Sequence, residues 1–119
     1  MKIIRLDSIT PEIREDGRLI YSILNYKNLG NLESKFFRVK IPAGIIEDEH
    51  FHKDSNEIFI FLKPGKIRIN KNLYSFNEGD VVILEKGEKH NVIAEQEMDL
   101  FGIKDPNLND KVIVKDENN

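Results

Sequence analysis

Gly44-Ile45-Ile46-Glu47-Asp48-Glu49-His50-Phe51-His52-Lys53-Asp54-Ser55-Asn56-Glu57 is the stretch on which the reading of this 119-residue chain turns. It carries two of the three histidines, two apart, and a glutamate five residues after the second. Residues i and i+2 of a β-strand project to the same face, so His50 and His52 are expected to present their imidazoles side by side. The third histidine, His90, lies far downstream. With Glu57 it completes a set of three imidazoles and one carboxylate. That donor set suits a divalent transition metal (Fe, Mn, Co, Ni or Zn) and disfavours ions that prefer oxygen alone. Four protein ligands on an ion that accepts six leave two positions for water, or for a substrate that chelates through two oxygens.

Around this stretch the chain reads as short apolar strands separated by turn residues. The expected strands are Lys2–Leu6, Arg18–Asn25, Lys35–Ile41, Glu57–Leu62, Lys66–Asn70, Leu73–Phe76, Asp80–Leu84, Asn91–Glu95, Met98–Lys104 and Val112–Val114. Their Ile, Val, Phe and Tyr content fits a pleated, half-buried surface. Lys63-Pro64-Gly65-Lys66 has the residue order of a type II turn, and Gly79 and Gly87 stand where a positive φ is useful. Thr10-Pro11-Glu12 has the signature of a helix start, but Asp16-Gly17 limits that helix to a turn or two. Asn25–Ser34 reads as a polar surface loop, and the polar end Lys115–Asn119 as a frayed tail. Regular strands and turns with no long amphipathic stretch predict an all-β sandwich or barrel.

Composition narrows the function classes. A chain of 13.9 kDa fits one domain, expected over residues 1–119, and can bury roughly two-thirds of its unfolded surface. Eighteen basic residues against 21 acidic ones give a net charge of −3, with no basic patch for nucleic acid and no polybasic membrane anchor. There is no apolar run long enough to span a bilayer and no leader-like start, so a cytoplasmic location is the default expectation. Cysteine is absent, which excludes disulfides and thiolate metal sites.

Two segments of the sequence resemble the signature motifs of the cupin superfamily. The first runs from Gly44 through His50, His52 and Glu57 to Pro64-Gly65; the second runs from Gly79 through Glu85, Lys86 and Gly87 to His90 and Ala94. The closing glycine of the first motif is one place late, Glu85 stands where proline is usual, and Ala94 replaces a terminal asparagine. The match covers nearly half of the chain. The resemblance implies a double-stranded β-helix, a jelly-roll barrel of two packed antiparallel sheets. It implies a divalent metal held by His50, His52, Glu57 and His90. It also implies a homodimer associating through sheets and N-terminal strands, here Lys2–Leu6. Cupins include dioxygenases, isomerases, epimerases, lyases and decarboxylases, so the resemblance does not select a reaction.

Several other residues have two readings. Phe59 and Phe61 share the face of Glu57 by period two and are expected to form an apolar floor beside the metal; Ile58, Ile60 and Leu62 would pack against an outer layer, giving a strand buried on both sides. Arg38 would either reach into the barrel toward an anionic substrate or point outward. Glu47-Asp48-Glu49 reads as a solvated loop, with cation steering as the minor reading. Glu85, Lys86 and Lys89 either rim the pocket mouth or form a solvated turn. Tyr21 and Tyr74 are candidate general bases. The leading function is a metal-dependent enzyme on a small sugar-, keto- or diketone-like molecule bound by chelation. The alternative is a non-catalytic small-molecule sensor or a structural metal site. A pocket with open coordination positions and a convergent polar group separates the two.

Overall fold

The computed structural model describes residues 1–24 and 33–115, so most of the expected Asn25–Ser34 loop and the tail beyond Lys115 lie outside the described residues. The strands are β1 (Glu12–Ile13), β2 (Leu19–Leu24), β3 (Lys35–Ile41), β4 (His50–His52), β5 (Asn56–Phe61), β6 (Gly65–Ile69), β7 (Asn72–Phe76), β8 (Val81–Leu84), β9 (His90–Ile93), β10 (Met98–Asp105) and β11 (Lys111–Ile113). They form two antiparallel sheets. One has the order β1-β2-β3-β10-β5-β8 and the other β11-β4-β9-β6-β7. The all-β expectation of two packed sheets therefore holds. Among the described residues, no helix is long and apolar enough to cross a membrane.

The core lies between the sheets and follows from the period of two. Along β3 the buried residues are Phe37, Val39 and Ile41; along β5 they are Glu57, Phe59 and Phe61. Phe61, Ile67 and Leu100 are fully buried, and each contributes about 1.5–3 kcal/mol by leaving water. Phe61 stacks on Phe76 with ring centroids 4.5 Å apart. Gly102 sits opposite Phe37 in the β3–β10 ladder, and a Cβ there would overlap the Phe37 ring. The glycine in mid-strand thus makes room for an aromatic core residue.

Four local expectations are corrected. Thr10–Asp16 forms no helix. Glu12 and Ile13 pair with Ile20 and Leu19, and Asp16-Gly17, with Gly17 at φ 97°, closes that hairpin. Lys2–Leu6 is not a strand, because Ile3 and Ile4 are exposed and give it no apolar face to bury. Gly65 does not take the positive φ of a type II turn; it opens β6, and it is glycine because a Cβ there would strike the Met98 side chain. Strand β5 is not buried on both sides: Ile58 and Ile60 are half-buried and Leu62 is exposed. Gly79 and Gly87 do adopt positive φ, at 88° and 80°.

Candidate metal centre

Strands β4 and β9 meet at one register pair, His50 opposite His90, so the fold returns the distant histidine directly onto the first motif. His52 follows on the same face of β4. Residues Lys53–Ser55 then turn the chain into β5 in the opposite sheet, which brings Glu57 in from the other side. The four side chains meet at the seam between the sheets. Their relative exposures are 4% for His50, 7% for His52, 8% for Glu57 and 2% for His90. One donor atom from each lies within 4.8 Å of all the others.

The outer edge of each imidazole is occupied. His50 Nδ1 lies 2.9 Å from the Asp48 carbonyl, His90 Nδ1 3.0 Å from the Glu88 carbonyl, and His52 Nδ1 3.2 Å from Asp110 Oδ1. With Nδ1–H donating outward, each ring keeps a bare Nε2 for the interior. The Nε2 atoms of His52 and His90 are buried without a hydrogen bond, 3.5 and 3.4 Å from Glu57 Oε1. Orphaned buried nitrogens of this kind are costly. A cation between them and the carboxylate satisfies them, so the donor set fits a divalent metal.

Burial and the facing charges give the cluster the same polarity. Burial pushes the His50 ring down to about 3, helped by the neighbouring His90. Burial alone would raise the Glu57 carboxyl, but the facing His52 and His90 rings hold it well below the usual carboxylate range. Burial lowers His90 while the Glu57 carboxylate and the Glu88 carbonyl raise it, and the net shift is upward.

The cluster opens into a cavity of 440 Å³. Phe59 lines it as expected, whereas Phe61 packs against Phe76 in the core. Glu47 also lines the cavity, and at 6% exposure it is not a residue of a solvated loop. It pairs with Arg18, accepts the Val92 N–H at 3.1 Å, and burial raises its carboxyl above the ordinary value. Asp110 is a residue that the sequence does not single out. Beyond its contact with His52 it accepts the Asp54 N–H at 2.8 Å and pairs with Lys104 at 3.1 Å. Burial would raise it, but these partners hold it below its ordinary range.

Arg38 points outward and makes a two-toothed pair with Asp99, at 2.9 and 2.6 Å. Tyr21 sits opposite Arg38 on the outer face, Tyr74 is exposed on β7, and neither lines the cavity. Glu85, Lys86 and Lys89 form the exposed turn before His90, not its pocket rim.

The chain matches no family model and no curated protein. Solved structures do resemble it. A predicted oxalate decarboxylase of Thermotoga maritima superposes with a TM-score of 0.77 at 22% identity, over 87% of this chain and 97% of that one. Ectoine synthase from P. lautus gives 0.78 at 19% identity, over 99% and 95%. The Cnp3 cupin domain of Schizosaccharomyces pombe gives 0.69 at 15% identity, over 87% and 72%. At these identities the likeness is one of fold.

Proposed function

We propose that this chain, which has the cupin fold, is a single cupin domain over residues 1–119. In this reading it binds one divalent transition metal (Fe, Mn, Ni, Co or Zn) through His50, His52, Glu57 and His90. It uses the site to hold a small polar molecule by chelation. The observation that carries this reading is the pair of buried Nε2 atoms facing the Glu57 carboxylate with no hydrogen-bond partner. When bound, a metal supplies Lewis acidity toward a carbonyl or hydroxyl oxygen. The residues supply the rest. Asp48, Glu88 and Asp110 fix the histidine rings, Phe59 keeps one wall apolar, and Glu47 places a second carboxylate on the cavity wall. Sugar-, keto- and diketone-like molecules have the adjacent oxygens that such a site selects.

A structural metal is the weaker reading. Among the described residues, the cluster gathers four His, Cys, Asp or Glu donors and no fifth, and it opens onto a cavity. Loading with cobalt(II) tests this. The visible spectrum should shift when acetylacetone or an α-keto acid is added. A spectrum indifferent to every chelator at saturating concentration refutes open coordination.

We also propose a homodimer. The outer face of the six-stranded sheet carries Ile58 and Ile60 beside Val81 and Ile83, and the last two are 55% and 59% exposed. An apolar stripe of this kind is self-complementary when two copies meet about a two-fold axis.

A further inference from the structure

Five cationic side chains line the cavity against two carboxylates. The cations are Arg14, Arg18, Lys35, Lys104 and Lys111; the carboxylates are Glu47 and Glu57. Three cations have anionic partners: Arg18 with Asp16 and Glu47, Lys104 with Asp110, and Arg14 with Glu12. Lys35 and Lys111 do not. Among the described residues, no carboxylate lies within 4.0 Å of either ammonium.

Both lysines occupy cavity-side positions that the ladders define; Lys35 is half-buried, and Lys111 is exposed at the rim. Lys35 on β3 is the register partner of Lys104 on β10, and Lys104 in turn is the partner of Glu57 on β5. Two cations and a metal-facing carboxylate therefore stand in one row across the sheet. Lys111 on β11 is the register partner of His52. Like charges directly opposite each other are destabilising. Asp110 pairs with Lys104, while Lys35 is half-buried beside the Phe37 ring, 5.6 Å from its centroid, and feels Glu12 and Glu57 only at longer range. The cavity lining thus carries five cations against two carboxylates, and among the described residues neither Lys35 nor Lys111 is held in an ion pair, which leaves both ammonium groups available to an anion that enters.

We propose that the cavity takes an anionic ligand. It is a small molecule with a chelating oxygen pair for the metal and a further negative group, carboxylate or phosphate, held by Lys35 and Lys111. This rests on the metal-chelate reading and narrows it from polar molecules in general to acids. Sugars without an acidic group and neutral diketones meet no partner for the two lysines.

Matched probe pairs test it on the cobalt-loaded protein by calorimetry. α-Ketoglutarate and α-ketobutyrate share a chelating head and differ in the distal carboxylate; phosphoglycolate and glycolate make the same comparison for phosphate. The proposal expects the acid of at least one pair to bind ten-fold or more tighter than its partner, and the pair that responds identifies the source. It expects the Lys35→Gln/Lys111→Gln variant to lose that preference while keeping its cobalt, and the double arginine variant to retain it. Equal binding within both pairs, no binding of any probe, or a preference that survives the double glutamine change overturns the proposal. A wild-type protein that takes up no cobalt refutes the metal centre instead. The anion preference is then read on the metal-free protein from the rise in unfolding temperature that each probe produces, with the same criteria.

Discussion

One strand crosses both ends of the barrel interior. β5 places Glu57 at the mouth, Phe59 at mid-depth and Phe61 at the closed end, all on the same face. At the closed end Phe61 stacks on Phe76 among Ile67, Met98 and Leu100, and packing alone holds it. At the mouth Glu57 faces two imidazoles with bare nitrogens, and the rings are held from behind by Asp48, Glu88 and Asp110. The closed end is complete as folded. The mouth is pre-organised by hydrogen bonds but left electrostatically unfinished until a cation arrives. Stability and function are thus divided along a single strand, and substitutions at the two ends should separate them.

The largest effect on stability is expected at the closed end. Phe61→Ala should cost about 3–5 kcal/mol in urea unfolding, from lost burial plus the cavity left behind. The chains that remain folded should bind metal in the wild-type ratio. Loss of metal from folded Phe61→Ala protein would show that the two ends are not independent.

Next comes the support of the mouth. Asp110→Asn keeps the shape of the side chain but removes the charge behind His52. Metal affinity should fall by about 10- to 100-fold, read by competition with a chelator. The same change should cost about 2 kcal/mol of stability at neutral pH, as expected for charge-assisted bonds. The sign of its pH dependence follows from the direction of the shift. Asp110 is held below its ordinary value, so the folded state binds fewer protons than the unfolded one. The wild-type advantage over Asp110→Asn is full above the ordinary carboxylate pKa of about 4 and is lost as pH falls below it. An advantage that grew on acidification would contradict the assigned role.

The smallest effect on stability belongs to the outer face of the same sheet. Ile83→Lys, at a position 59% exposed, should change unfolding free energy by no more than about 0.5 kcal/mol and leave metal content untouched. In light scattering it should shift a dimer to a monomer. Wild-type protein that is monomeric at high concentration would remove the proposed association.

How much of this was legible in the sequence depended on how local each signal was. Strand β3 was read to the residue, because alternation over Lys35–Ile41 and its burial coincide. The candidate cluster is legible because three of its four residues sit within eight positions and the spacing of His50 and His52 places them on one face. The three-residue strand β4 was missed: its ends are histidines, so it carries no apolar alternation, although its i, i+2 geometry had been read correctly. Asp16-Gly17 was read as the end of a helix, yet the same dipeptide closes a hairpin, and pairing with β2 decided between the two. Asp110, Lys35 and Lys111 carry no signal in the sequence, and Glu47 reads there as part of a solvated acidic run, because their positions depend on register between strands far apart in the chain. No local pattern records that Lys111 lies opposite His52 or that Glu47 reaches Val92.

We propose above all that His50, His52, Glu57 and His90 form one metal centre. It is tested most directly by elemental analysis of untagged protein loaded with Fe, Mn, Co, Ni and Zn in turn, beside His52→Ala handled identically and shown to be folded by circular dichroism. Wild-type chains should each carry about one equivalent of at least one of these metals, and the variant a small fraction of that. Equally negligible metal in both proteins, or equal retention by both, would contradict it.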